Sequence, residues 1–217
     1  MLDAVGSVAG ARVLDFACGA GVTSAWLADR GAEVTGIDLS ATSTARAEEF
    51  FGKLGKTATF VTGAAESALL PPPFDAIIGR YALHHIDCGA VAPILSDLLI
   101  GGGKAAFLES MATNRLLNLA RNRAIGRFGI VRLGTLDEHP LTKNDFSILQ
   151  RAFGHLAVEL GEMRFLRIFD RQVLRYRYSH VSSALGAIDD TIYKLAPSLK
   201  GLSFHQVLVL TKARSER

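Results

Sequence analysis

The sequence predicts an α/β protein, a parallel sheet covered by helices on both faces. Three observations carry this. Over the first 110 residues, apolar runs of strand length alternate with longer segments of helical spacing, as parallel crossovers require. At residues 12–30 a buried strand runs straight into a glycine-rich turn and a helix. The chain has 217 residues, 49% apolar and 21% charged, the balance of one ordinary globular domain, which excludes disorder over most of its length.

The elements follow in order. Residues 12–16 (RVLDF) predict a first strand, and 23–30 a helix that stops at Gly31, a residue suited to a left-handed helix terminus. Residues 33–38 (EVTGID) predict the second strand, after which Ser40 caps a helix ending at Gly55. A third strand is expected over 57–61. A loop bounded by Pro71, Pro72 and Pro73 leads to a fourth over 75–78. A helix around 93–100 stops at the triplet Gly101, Gly102, Gly103, and 104–108 predicts the fifth strand.

Beyond residue 110 the rhythm changes. Residues 111–136 are rich in arginine, with Leu116, Leu117, Ala120 and Ala124 at helical spacing. Thr142, with Asp145 three residues on, predicts a capping box for a helix running to Phe153. Residues 156–160 and 204–211 predict two further strands, separated by a second Arg/Tyr-rich helical segment at about 170–200. Charge divides the same way. Residues 1–110 hold 7 Lys/Arg against 12 Asp/Glu, whereas 111–178 hold 12 against 6. The basic half suits an anionic partner or substrate, with a solvated helix face as the plainer alternative.

No apolar run reaches the roughly 18 residues that span a bilayer. The N-terminus lacks the basic and apolar regions of a secretory signal. Two cysteines, Cys18 and Cys88, make neither a disulfide framework nor a Cys/His cluster, so a reduced, cytoplasmic protein is expected.

The segment VLDFACGAGVTS carries the most chemistry. Gly19 and Gly21 allow a tight turn and close approach of a ligand to the main chain, and the next helix offers free N–H groups. Ser24 stands where a dinucleotide fold would place a third glycine. Asp15, at the strand end, suits a cationic group better than a pyrophosphate. Asp38 ends the second strand, 19 residues after Gly19, where a carboxylate can accept from both ribose hydroxyls.

These motifs resemble the class I S-adenosylmethionine-dependent methyltransferases. VLDFACGAG is similar to the family's first motif, GIDLS to its second-strand acidic motif, and RYALHHI (80–86) to the stretch after strand four. Gly63 to Glu66 with Phe74-Asp75, and the GGGK turn at 101–104, match further segments, so the likeness is continuous over about 12–110. It implies a Rossmann-like, doubly wound, seven-stranded sheet of order 3-2-1-4-5-7-6 with strand seven antiparallel. It also implies one domain, 1–217, whose half 1–110 binds cofactor. The half 111–217 shapes the acceptor site through insertions after strands five and six.

The cofactor so implied is S-adenosyl-L-methionine, with S-adenosyl-L-homocysteine as product. Asp15, Ala17, Gly19 and Gly21 would hold its methionine part, Asp38 the ribose, and Leu39 would pack on adenine. Ala65 and Glu66 would face the adenine edge, and the Arg80 carbonyl the methionyl amino group. Three departures stand out. Ala17 and Cys18 replace the usual motif residues, and Ala64 replaces an Asp that contacts the adenine amine. Only 12 residues precede the first motif, so either the site is open or the C-terminal insertions cover it.

Methyl transfer from a sulfonium is an in-line displacement whose leaving group needs no acid, so a base is needed only for a protonated hydroxyl or amine. The candidates are His84, His85 and Glu109, all at the carboxyl edge. Two adjacent histidines do not easily face one pocket, so one lining it while the other packs is the competing reading. For Glu109 the competing reading is a salt bridge to an arginine. His139 reads as a loop residue, Tyr81 as packing on the cofactor or hydrogen bonding to substrate, and both cysteines as buried spectators. No Asp, Asn or Glu set has the spacing of a Mg²⁺ site, so no metal is expected.

The arginines 115, 121, 123, 127, 132, 164, 167, 171, 175 and 177 fit three uses. They are a lid over an anionic substrate, contact with anionic lipid headgroups, or amphipathic helices whose arginine stems cover core. Nucleic acid is disfavoured: the loop after strand four reads GRYA, not the Pro-Pro-aromatic turn of base methyltransferases. The function expected is therefore transfer of a methyl group to a small-molecule or lipid-like acceptor, at oxygen and without metal. The alternatives are a non-catalytic module with the same pocket working through a partner protein, and an NAD-binding oxidoreductase.

Overall fold

The computed structural model of the chain describes residues 1–71, 73–110, 141–160, 174–196 and 205–214, together with 166, 170, 199 and 203. Seven strands, β1 (Arg12–Phe16), β2 (Glu33–Asp38), β3 (Thr59–Thr62), β4 (Phe74–Arg80), β5 (Leu99–Ser110), β6 (Gly154–Leu160) and β7 (His205–Lys212), form one sheet. Its order is β3-β2-β1-β4-β5-β7-β6. The first five strands pair in parallel, and β7 runs antiparallel to both β5 and β6. This is the order and direction that the resemblance implies.

Neighbouring residues on the central strands face opposite ways and build two cores. Leu14, Ile77, Phe107 and Leu208 pack on one face with residues of α4 (Cys88–Leu98) and α5 (Lys143–Phe153). Val13, Ile78, Ala106 and Val207 pack on the other with α1 (Leu2–Val5) and α2 (Val22–Ala28). Burying each large apolar side chain contributes roughly 1.5–3 kcal/mol. The central strands are buried on both sides, which is why they read as unbroken apolar runs.

The helix ends follow their side chains. Ser40 Oγ accepts the Ser43 N–H at 3.2 Å and starts α3 (Ala41–Leu54), which ends at Gly55 with φ +63°. Thr142 and Asp145 form the expected reciprocal capping box of α5. A last helix, α6 (Ser179–Leu195), lies within the second Arg/Tyr-rich segment. The segment 111–136, His139 and the arginines from Arg115 to Arg171 lie outside the described residues.

Strand five departs from expectation. It begins at Leu99, not at 104, and takes in the glycine triplet, while the preceding helix ends at Leu98. The cause is a pairing irregularity: Phe74 faces Leu99, but Ala76 already faces Lys104. The extra residues bulge, and a Cβ on Gly103 would lie 3.1 Å from the Asp75 carbonyl oxygen, so a side chain there would crowd the neighbouring strand.

Candidate active site

The ends of β1, β2, β4 and β5 and the start of β7 share the carboxyl edge of the sheet. Here a cavity of about 370 Å³ opens, within the roughly 300–1,000 Å³ range of small-molecule sites. Ala17, Asp38, Leu39, Ala65, Glu66 and His85 are in its wall. A larger depression of about 470 Å³, beside Arg12, Glu33 and Thr57, sits at the opposite edge. Ligands of open α/β sheets bind at the carboxyl ends of the strands, so the smaller cavity is the candidate site.

The turn after β1 is braced by the end of β2. The Gly19 N–H donates to Asp38 Oδ2 at 2.9 Å, and the Ser40 N–H donates to Oδ1 at 2.9 Å. Each carboxylate oxygen keeps a second lone pair for a ligand hydroxyl. Gly21 caps α2 in the left-handed region at φ +78°, with Ala47 Cβ only 3.0 Å from where its own Cβ would be. Ala17 is also left-handed, at φ +59°, a conformation that costs a non-glycine residue roughly 1–2 kcal/mol.

Asp15 points away from the cavity wall, into the face covered by α2. It is buried, and the Ser24 hydroxyl donates to its Oδ2 at 2.5 Å. Burial pushes its carboxyl up to about 7, against the opposing pull of the Ser24 hydrogen bonds and the Arg80 charge. Arg80, at the end of β4, thus acts on Asp15 as a charge, while its own side chain is exposed.

Glu109 is fully buried and pairs with no arginine among the described residues. Its Oε1 accepts the N–H groups of Ala82 and Leu83, both at 2.8 Å, and Oε2 lies 2.7 Å from His84 Nδ1. The carboxylate therefore fixes the 3-10 turn Leu83–His85 and holds the His84 ring by Nδ1–H, which leaves Nε2 as the basic nitrogen of the neutral ring. The two histidines divide as the competing reading expects: His85 is exposed and reaches the cavity, while His84 is buried behind it, with ring centroids 4.2 Å apart.

Sequence reasoning missed His205. It lies buried at the start of β7, opposite Ser110, with its ring 5.2 Å from Tyr81. Its signal was available, since an antiparallel seventh strand begins at the carboxyl edge. Cys18 and Cys88 are both buried, which pushes each thiol up to about 12 and leaves neither a thiolate at neutral pH. Among the described residues, no group of three or more His, Cys, Asp or Glu is placed to hold a metal ion. No described helix is long and apolar enough to cross a membrane.

Residues 13–103 match the model of a family described as a methyltransferase domain. Over that segment the chain is similar to the class I S-adenosylmethionine-dependent methyltransferases. Among curated methyltransferase relatives, an uncharacterized methyltransferase of Geobacillus sp. (strain WCH70) is 35% identical over 132 residues, 57% of this chain and 61% of the relative. A ubiquinone biosynthesis O-methyltransferase of Xylella fastidiosa (strain M23) is 36% identical over 130 residues, 58% of this chain and 52% of the relative. The chain thus spans about half to three fifths of these curated methyltransferases.

Solved structures share the fold. Magnesium protoporphyrin IX methyltransferase from Synechocystis PCC 6803, solved with bound S-adenosylhomocysteine, gives a TM-score of 0.62 at 19% identity. That match covers 98% of this chain and 78% of the other. The YcgJ protein from Bacillus subtilis gives 0.63 at 19% identity, covering 99% and 96%.

The residues present fit the family's cofactor. Asp38 has unused acceptor capacity toward ribose hydroxyls, Leu39 offers an apolar side chain that is 71% exposed, and Glu66 gives an acceptor at the cavity rim. Where the methyltransferase motif has an acidic residue facing adenine, Ala64 lines the cavity, and Glu66 is the carboxylate within reach of that wall.

Proposed function

We propose that the chain transfers a methyl group from S-adenosylmethionine to an oxygen atom of a small-molecule acceptor, without a metal ion, using His84 as the base. The observation that carries this reading is the buried Glu109 carboxylate, which fixes the His84 ring at the carboxyl edge beside the cavity. A buried carboxylate that accepts from one imidazole nitrogen sets the ring's tautomer and orientation, so the other nitrogen is the acceptor.

Bound at this edge, the cofactor supplies an electrophilic methyl group. Asp38, Gly19 and Ala17 hold the ribose and methionine ends, and Leu39 and Glu66 the adenine. His84 takes the proton of the acceptor hydroxyl at Nε2, and Glu109 keeps the ring from turning. His85 closes the wall between the two ligands. The oxygen assignment is supported by relatives named ubiquinone biosynthesis O-methyltransferases. The arginine-rich composition of the second half of the sequence suits an anionic or lipid-like acceptor.

Two measurements test this. S-adenosylmethionine and S-adenosylhomocysteine at 100 times their dissociation constants should each stabilise the chain by about 2.7 kcal/mol, a rise in Tm of roughly 5–10 °C, and NAD should not. His84→Ala should then keep S-adenosylhomocysteine affinity and lose methyl transfer from labelled cofactor to hydroxylated acceptors. Loss in His85→Ala, with His84→Ala active, would move the base to His85.

A further inference from the structure

We infer that the outward face of α6 seats the protein on an anionic lipid bilayer, with Val181, Ile188 and Leu195 entering the headgroup boundary and Arg175 and Arg177 meeting its phosphates. The seating concerns a surface and does not depend on the methyl-transfer reading.

A helix on the surface of a globular protein turns its apolar stripe inward and its polar side chains to water. The helix α6 does the reverse. Its buried residues are Asp189 and Tyr193. Both Asp189 carboxylate oxygens accept the Leu166 N–H, at 3.0 and 3.1 Å, and the Tyr193 hydroxyl lies 2.7 Å from Ser203 Oγ. Ser182 Oγ is buried as well. Helical spacing puts Val181, Ala184, Ile188 and Leu195 on one stripe, about a third of the way round from Asp189 and Tyr193. That stripe faces water: Val181 is 40% exposed, Ile188 48% and Leu195 82%. A continuous exposed apolar stripe marks a contact surface, whereas scattered apolar residues do not.

The residues just before the helix supply the charge. Arg175 and Arg177 are exposed, and among the described residues neither is in an ion pair. Tyr176 and Tyr178 alternate with them and are also exposed. Tyrosine settles at the boundary between bilayer and water, with its ring toward the apolar side, and guanidinium groups bind phosphate oxygens in pairs. A cationic, tyrosine-bearing turn running into an apolar stripe about 25 Å long suits a helix lying in the plane of an anionic membrane.

A second copy of the chain fits this face less well. Antiparallel pairing of two α6 helices brings the arginine end of one against the Lys194 end of the other, and parallel pairing sets the arginines against themselves. Either way cation meets cation, which anionic headgroups resolve. The face is also tied to the carboxyl edge of the sheet. Ser203, bonded to Tyr193, stands two residues before β7, whose first residue, His205, pairs with Ser110 there.

Co-sedimentation with vesicles tests the seating, using phosphatidylcholine with about a third phosphatidylglycerol against phosphatidylcholine alone. The full chain should partition onto the anionic vesicles at least about tenfold more strongly than onto the neutral ones, and added salt should weaken it. Ile188→Asp and Leu195→Asp should each lower the partition coefficient at least about tenfold. Arg175→Gln combined with Arg177→Gln should lower it by roughly tenfold or more on anionic vesicles alone. Val158→Asp, which alters a similarly exposed apolar side chain on β6, should bind as the unaltered chain does. None of these residues is in the cavity wall, so Tm and S-adenosylhomocysteine affinity should hold throughout.

No partitioning onto anionic vesicles, equal partitioning onto both kinds, or a loss in Val158→Asp as large as in Ile188→Asp overturns the inference. A dimer that Ile188→Asp dissociates, with no vesicle binding, overturns it too and gives the face to a second copy. Vesicle binding that follows the expected variants in a chain that does not bind S-adenosylhomocysteine upholds the seating and ends the methyl-transfer reading.

Discussion

The Asp38 carboxylate reaches from the end of β2 to the backbone of Gly19, accepting its N–H at 2.9 Å. One side chain thereby shapes the turn that approaches the ligand and presents its remaining lone pairs to it. Asp38→Ala removes both at once. A charge-assisted hydrogen bond contributes roughly 1.5–3 kcal/mol, so affinity for S-adenosylhomocysteine should fall at least about tenfold by calorimetry. An unchanged dissociation constant would sink the placement of the ribose at Asp38.

Asp15 makes stability depend on pH. Its carboxyl is raised from 3.8 to about 7 by burial, so the folded protein holds a proton that the unfolded chain releases. The stability that this neutral group contributes is complete below about pH 3.8 and is lost as pH rises through about 7. At roughly 1.4 kcal/mol per unit, the loss is on the order of 4 kcal/mol. Asp15→Asn should flatten the dependence between pH 5 and 8 in urea titrations. A variant that keeps the wild-type slope would place the proton elsewhere.

Ala17 carries strain that a glycine would not. At φ +59° its Cβ is disfavoured, so Ala17→Gly should raise stability, by up to about 1 kcal/mol once the extra freedom of the unfolded glycine is counted. Melting temperature gives the answer directly, and a drop would mean that the methyl group packs more favourably than the turn is strained.

Glu109→Ala leaves three donors without an acceptor, the N–H groups of Ala82 and Leu83 and His84 Nδ1. Each orphaned buried group costs about 1–3 kcal/mol, so this variant should be severely destabilised. Glu109→Gln keeps an acceptor oxygen and should fold, yet its amide N–H then faces His84 Nδ1 and selects the other ring tautomer. Lower kcat with unchanged S-adenosylhomocysteine affinity is the expected result, and wild-type kcat would remove Glu109 from the reaction.

The elements that were legible carry local signals. The turn glycines, the Ser40 cap, Gly55 and the Thr142–Asp145 box each act within a few residues, and each formed as its chemistry dictates. What escaped depends on distance along the chain. Glu109 reads in the sequence as a base candidate or an arginine's partner, since His84 is 25 residues away and meets it only after β4 and β5 pair. The resemblance gives Asp15 to the methionine end of the cofactor, and strand alternation turns its side chain from Leu14 and Phe16 toward Ser24 on α2. His205 was passed over because only the direction of β7 places it beside Tyr81.

That reversed seventh strand makes the carboxyl edge depend on two distant stretches of chain. His205 arrives there at the start of β7, outside the contiguous segment 13–103 that matches the family. The Asp38–Gly19 clamp needs only the ends of β1 and β2 side by side, whereas the contact of Tyr81 with His205 needs β4, β5 and β7 assembled in their final order.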